Sequence, residues 1–274
     1  MIRTIIEGDG RSSLSPIALW REYREYSTLL RYLALRDLRL RFRNPSLGAL
    51  WVTLQPLLPM VIFSFVFARV LQPSVGTIPY SLFALAGLVP WTFFSSAVST
   101  AGMVFVWNAN LLNKVYFPRA ILPASAVLAS SIELVVGCLL LCGYSVFKGF
   151  PPRWSWLWLP VLALEMTVLA FFTSLGIATL NALHRDVKFA VPFLMQLWIY
   201  ASPVIYSASI LPGQYRWLLG LNPLAGVLEQ FRWALLGAGP DPAVLWISLA
   251  SSIALVLAAI GVFRYFEHTL AERI

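Results

Sequence analysis

Six long apolar runs, separated by short polar or proline-marked breaks, constrain this chain more than any other feature. They cover about Leu47–Leu71, Tyr80–Val106, Ile121–Phe147, Ser155–Leu180, Phe189–Ile210 and Ala243–Phe266. A run of about 20 apolar residues has the length to cross a bilayer core as a helix. Inside that core every backbone N–H and C=O needs an internal partner, which a helix supplies. Charged residues are 12% of the chain and hydrophobic residues 59%, against about 25% and 45–50% in soluble domains. That balance excludes a disordered chain, a disulfide-stapled secreted scaffold and an ordinary cytosolic enzyme. The expected fold is an all-α integral membrane protein with six transmembrane helices in one unit.

Pro56 and Pro59 fall inside the first run, where a kink is expected, and Pro90 falls in the first half of the second. Leu211–Asp241 is different in kind. Leu224–Leu236 is too apolar for a free loop and too short to span, and Asn222-Pro223 breaks it. A pair of short re-entrant or interfacial helices at about 211–240 fits both facts, with an interfacial cap as the plainer alternative. Glu229 and Arg232, three apart, can pair on one helix face. Cys138 and Cys142 share a helix face in an apolar run, cannot readily pair, and read as small core- or lipid-facing residues.

Nine of the 20 basic residues precede the first run, from Arg3 to Arg43. In so apolar a chain this marks a cytoplasmic N-terminus; no nucleic-acid-binding motif accompanies the charge. With that orientation, 15 basic residues face the cytoplasm and 5 the outside, and an even span count returns the C-terminus to the cytoplasm. Glu7, Asp9 and the lack of an apolar core in the first fifteen residues argue against a cleavable leader. From Glu22 to Leu35 the pattern is amphipathic: Tyr26, Leu29, Leu30 and Leu33 share one face, Arg24, Thr28 and Arg31 the other. Such a helix suits the headgroup region, its basic side toward anionic lipid, or a partner surface. Leu38–Arg43 alternates like a strand but would have no strand to pair with. The chain thus divides into a cytoplasmic N-terminal region at 1–46, a six-span domain at 47–266 and a cytoplasmic tail at 267–274.

No catalytic constellation is present. His184 and His268 lack metal partners nearby in sequence, and no G-x-x-x-x-G-K-[ST] leads any of the three lysines. If transport is ATP-driven, the nucleotide and its magnesium belong to a separate subunit, and this chain needs no cofactor or metal. Glu133 and Glu165 sit inside the third and fourth spans. An ionised acid at mid-bilayer costs about 2.5–3.5 kcal/mol, and no Lys or Arg lies deep enough in a span to neutralise either readily. They are protonated or hydrogen-bonded, with a proton relay as the alternative. Gln196, Tyr200, Pro203 and Ser207 form a stripe at spacings of three and four that could line a path for a polar solute. Trp51, Trp198 and Tyr206 could stack on sugar rings; anchoring and helix packing are the alternative.

Five blocks carry a resemblance: RDLRLRFRNPSLGALWVTLQP (36–56), GLVPWTFFSSA (87–97), NANLLNKVYFPRAILP (108–123), RDVKFAVPFLMQLWIYASPVIYS (185–207) and LNPLAGVLEQFRWALLG (221–237). The chain from about residue 22 resembles the ABC-type permeases that export polysaccharides and polyol phosphates. One departure is His184 ahead of Arg185-Asp186, where the family often has an aromatic residue. The resemblance implies a type-2 ABC exporter fold, with an N-terminal interface helix and short helices between spans five and six. It implies a homodimer assembled with two copies of an ABC ATPase in the bacterial inner membrane. A lipid-linked glycan would cross at the dimer centre, between first and fifth spans, with Trp51, Gln55, Gln196, Tyr200, Tyr206 and Ser207 as candidate path residues. The insert at about 108–118 matches the family's coupling helix. Asn110, Lys114, Tyr116, Phe117, Pro118 and Arg119, with Arg185 and Asp186 of the next cytoplasmic loop, are the candidate ATPase contacts.

A lipopolysaccharide O-antigen is the first substrate choice, because 17 arginines against 3 lysines suggest a GC-rich genome and, weakly, a Gram-negative host. Capsule and teichoic acid exporters share these motifs, and a small drug-like molecule is a further transporter reading. From another class, an ion-coupled carrier or membrane-embedded enzyme would have to use Glu133 and Glu165.

Overall fold

The computed structural model describes residues 26–42, 48–115, 117–184, 186–237 and 239–273, and every regular element among them is helical. In chain order these are α1 (Ser27–Phe42), α2 (Gly48–Val75), α3 (Tyr80–Ala101), α4 (Val104–Trp107), α5 (Ala109–Lys114), α6 (Ile121–Phe147), α7 (Leu159–Leu183), α8 (Val187–Ala201), α9 (Trp217–Gly220), α10 (Ala225–Leu236) and α11 (Pro242–Arg273). Tight single turns at Trp154–Trp158, Ala208–Ile210 and Gly213–Tyr215 link them. Five helical stretches are long and apolar enough to cross a membrane: Leu50–Val70, Tyr80–Ala101, Ile121–Phe147, Trp154–Leu183 and Pro242–Glu267.

The fifth expected span departs from the sequence reading. Its helix stops at Ala201, not Ile210. Fifteen residues rise about 22 Å, short of the roughly 30 Å of hydrocarbon. Other differences are smaller. α2 is helical through both Pro56 and Pro59. α3 ends at Ala101, five residues before the expected boundary. The alternating 38–42 stretch is the last part of α1, not a strand. The last helix runs unbroken to Arg273, so the expected tail continues it.

α3 is the centre of the bundle, packed by α2, α6, α7 and α10. Leu82, Leu85, Leu88, Phe93, Phe94 and Ala97 are all buried there. α2 and α11 lie at the margins. On α2, Leu58, Val61, Ile62, Phe65, Val66 and Val70 point outward, Phe65 at 90% exposure. Such a face needs lipid or a second subunit to cover it.

α1 packs along α6 with the apolar face that the amphipathic pattern indicated. Leu33 is 3% exposed, and Tyr26, Leu29 and Leu30 pack on the core. Thr28 and Arg31 face away.

Long-range bonds sort the bundle into two ends. At one end the Arg36 Nη2 donates to the Asn108 Oδ1 at 3.2 Å, Asn181 Nδ2 donates to the Gly102 carbonyl at 3.0 Å, and Arg119 donates to the Glu267 carbonyl. This end gathers α1, α4, α5 and the C-terminal ends of α7 and α11. At the other, Ser81 Oγ meets the Tyr144 hydroxyl at 2.9 Å and Arg216 pairs with Asp241 at 3.4 Å. The turn at Trp154–Trp158 closes the last turn of α10 there. Ser155 Oγ donates to the Ala234 carbonyl at 2.6 Å and Trp156 Nε1 to the Leu235 carbonyl at 3.4 Å, serving carbonyls that a helix terminus leaves open. Gly237 ends α10 at φ +75, the left-handed cap that glycine adopts without a Cβ penalty.

Candidate functional site

The segment 211–237 folds as a short helical hairpin seated against α11. From Arg216 the chain runs through α9 to the Asn222-Pro223 turn and returns through α10. Ser252 Oγ donates to the Pro223 carbonyl at 2.8 Å, and Ser251 Oγ to the Gly220 carbonyl at 2.9 Å. Ser252 lies ten residues into α11, so the turn reaches about 15 Å below the start of that helix. Ser248 completes the seat, accepting from Gly226 N at 2.8 Å and donating toward the Asn222 and Pro223 carbonyls at 3.0 Å.

This depth explains why α8 stops short. Its C-terminal end meets the hairpin turn. Trp198 Nε1 donates to Asn222 Oδ1 at 3.2 Å, and Asn222 Nδ2 donates to Ser202 Oγ at 2.7 Å and to the Ala201 carbonyl at 3.3 Å. Beyond Ala201 the backbone is unwound yet buried: Ser202 and Val204 are fully enclosed. Bare carbonyls at such depth are costly, and irregular backbone is tolerated inside a membrane where protein covers it. Here side chains replace the missing helical donors. Arg232 Nη2 donates to the Val204 carbonyl at 2.6 Å, the Tyr80 hydroxyl to the Ile205 carbonyl at 2.9 Å, and the Tyr206 hydroxyl to the Tyr200 carbonyl at 3.2 Å.

Arg232 is 2% exposed. Its guanidinium lies 3.9 Å from the Phe83 ring centroid, and Glu229 approaches Nη1 at 3.6 Å, the pairing expected from their spacing. Replacing Tyr80 by Phe removes one donor from the unwound carbonyls; the expected loss is about 1–3 kcal/mol, read as a lower unfolding midpoint in lipid nanodiscs.

Between α3 and α8 runs an open groove of about 540 Å³, lined among others by Trp91, Ser95, Ser99, Phe193, Gln196 and Tyr200. Of the expected path residues it contains Gln196 and Tyr200, both exposed. Ser207 and the half-buried Tyr206 lie on the unwound continuation. Trp51, 52% exposed, and Gln55 are on α2 and do not line this groove. Trp198 packs edge-on against Trp91 and Phe94 at 6.4 and 5.6 Å. Its rings belong to the α3–α8 contact.

At the other end, α5 lies in the short polar insert. Asn110 and Lys114 are exposed. Phe117 is buried at 5% within the subunit, where it anchors the return to α6. Pro118 is half-buried, and Arg119 is tied to the α11 backbone. Asp186 is exposed just before α8. Tyr116 and Arg185 lie outside the described residues.

Glu133 meets a cation that the sequence reading did not supply. Arg41, near the end of α1, pairs with its carboxylate at 2.7 Å and donates to Ser130 Oγ at 2.8 Å and Ser96 Oγ at 2.5 Å. Nearer the middle of α1, Ser125 Oγ donates to Asp37 Oδ2 at 3.3 Å. Glu165 is half-buried, with no ion pair among the described residues.

A helical bundle with five membrane-length apolar helices, a short hairpin, a short polar insert and an open polar groove fits a membrane protein of the permease class. The residues 28–236 match the ABC-2 type transporter family, and the chain belongs to that family. It is similar to the O-antigen export system permease protein RfbA of Myxococcus xanthus, 30% identical over 94% of this chain and all of that protein. RfbA of Klebsiella pneumoniae is 27% identical over 86% of this chain and 91% of its own length. The polysialic acid transport protein KpsM of Escherichia coli is 25% identical over 74% and 80%.

Proposed function

We propose that this chain is the membrane subunit of an ATP-driven exporter that moves a lipid-linked polysaccharide, an O-antigen, out of the bacterial cytoplasm. The observation that carries this reading is likeness to the Myxococcus xanthus O-antigen permease along that protein's whole length. Two chains form the channel, and two copies of a separate ABC ATPase drive it. Both chain ends lie in the cytoplasm, because the end that gathers α1, α4 and α5 also carries Arg36, Arg39, Lys114, Arg119 and Lys188. The groove offers serines, Gln196 and aromatic faces, which suit hydroxyl-rich rings. The exposed α2 face, with Trp51 and Gln55, faces the second subunit and completes the path. A capsule-type glycan is the second reading, favoured by the likeness to the polysialic acid transport protein. A carrier or enzyme working through paired acids is disfavoured, since Arg41 already engages Glu133.

Co-expression with the neighbouring ATPase gene tests the proposal. A two-plus-two complex that hydrolyses ATP and restores surface O-antigen in a permease-deleted host is expected; a chain that never binds an ATPase would sink it. Lys114→Glu on exposed α5 should lower ATPase-driven export at least tenfold while the permease dimer still forms, as read by size-exclusion chromatography beside export. Phe117→Ala should instead lower the yield of folded permease, because its ring fills the core.

A further inference from the structure

The carbonyl of Val204 depends on a side chain with more donors than it uses. Arg232 Nη2 holds that carbonyl at 2.6 Å. Its Nε and Nη1 are buried and have no hydrogen-bond acceptor among the described residues, although Glu229 lies within ion-pair range of Nη1. Unserved donors on a buried cation call for an explanation. A guanidinium presents five donors in a rigid fork, where one tyrosine or serine would suffice for one static carbonyl.

The surroundings are built to admit it. A Cβ on Gly87 of α3 would stand 2.7 Å from Arg232 Nη2 and inside contact distance of the Val204 oxygen. Phe83, one turn earlier, supplies the ring beneath the guanidinium. Three elements therefore meet at one charge: α3, the hairpin and the unwound continuation of α8. The same α8 carries Gln196 and Tyr200 in the groove.

We propose that Arg232 is a positioning residue for transport, a clamp that holds the unwound segment Ser202–Ile205 closed over the far end of the path. Its spare donors let the segment move to a second register without baring its carbonyls. Opening then exchanges one carbonyl on the guanidinium for another and leaves α3 and the hairpin in place. This rests on the exporter reading for its purpose, but the clamp itself is testable without substrate or ATPase.

The test is thiol accessibility in the full-length permease, its native cysteines first replaced by serine, reconstituted in lipid nanodiscs. A cysteine is introduced at Ser202 or, as control, at Ser174, both fully buried. A water-soluble methanethiosulfonate reagent is the probe. With Arg232 present, both positions should react slowly. Arg232→Met should speed the reaction at 202 at least tenfold and leave 174 unchanged, and Arg232→Lys should restore part of the protection. Unchanged reactivity at 202 would overturn the clamp, and so would equal acceleration at 174, which would mark Arg232 as a general fold residue. If Arg232→Met does not fold, Arg232→Lys alone decides, with acceleration confined to 202 expected. Loss of export with intact ATP hydrolysis in the assembled complex reads the transport role. A wild-type complex that fails to export glycan would fault the exporter reading and leave the accessibility result standing.

Discussion

Arg41→Met should cost the folded permease about 3–5 kcal/mol, the usual penalty for removing one partner of a buried ion pair. Glu133, with a side chain 7% exposed, would be left as a bare acid in the bundle. The two serines that Arg41 engages would lose a charged donor with it. Arg41→Met/Glu133→Leu should recover more than half of the loss, because replacing both members of such a pair with apolar residues is often neutral. The double-mutant cycle, read from unfolding midpoints in nanodiscs, checks this; additive effects would show that the two charges do not interact. Function should follow the same pattern. α1 is fastened to α6 by Arg41 and by Asp37, and to the residue before α5 by Arg36. A movement delivered at α5 therefore has a polar route into α1, and the single variant should lose more export than ATP hydrolysis.

That pair marks the boundary of what the sequence discloses. Periodicity found the buried face of α1, because Tyr26, Leu29, Leu30 and Leu33 recur at helical spacing. Hydropathy found five spans, and spacing found Glu229 with Arg232. Arg41 and Glu133, by contrast, are far apart in sequence on different helices, and no local pattern joins them. Arg41 lies in the alternating stretch that reads as neither helix nor strand.

The helix expected to reach Ile210 ends early for another reason. Hydropathy registers that Ser202–Ile210 is apolar enough for a membrane, not whether its backbone is helical. Pro203 after Ser202 was the available signal, since proline disfavours helix in the residue before it. The depth of Asn222 and the carbonyl work of Arg232 were not legible, because they depend on α11 seating the turn through Ser248 and Ser252. The candidate path residues divide accordingly. Gln196 and Tyr200 reach one groove because they share α8, whereas Trp51 and Gln55 are on α2, outside that groove.

Gly87→Ala should be among the most damaging single-methyl additions in this chain. Gly137, by comparison, meets only the side chain of Val89. At Gly87 the obstacle is the backbone oxygen of Val204, held by Arg232. The new methyl must push the unwound segment off α3 and break that bond. Overpacking costs about 1–3 kcal/mol, and a buried donor left unserved about 1–3 more. Gly143→Ala is the control: it lies in α6 with nothing within 4 Å of an added Cβ, and should gain about 0.5–1 kcal/mol from helix propensity. Unfolding midpoints of the two variants should move in opposite directions. A neutral Gly87→Ala would mean that α3 and the unwound segment do not approach this closely in the membrane. Export should fall further than stability in that variant, since the displaced segment continues the helix that carries Gln196 and Tyr200.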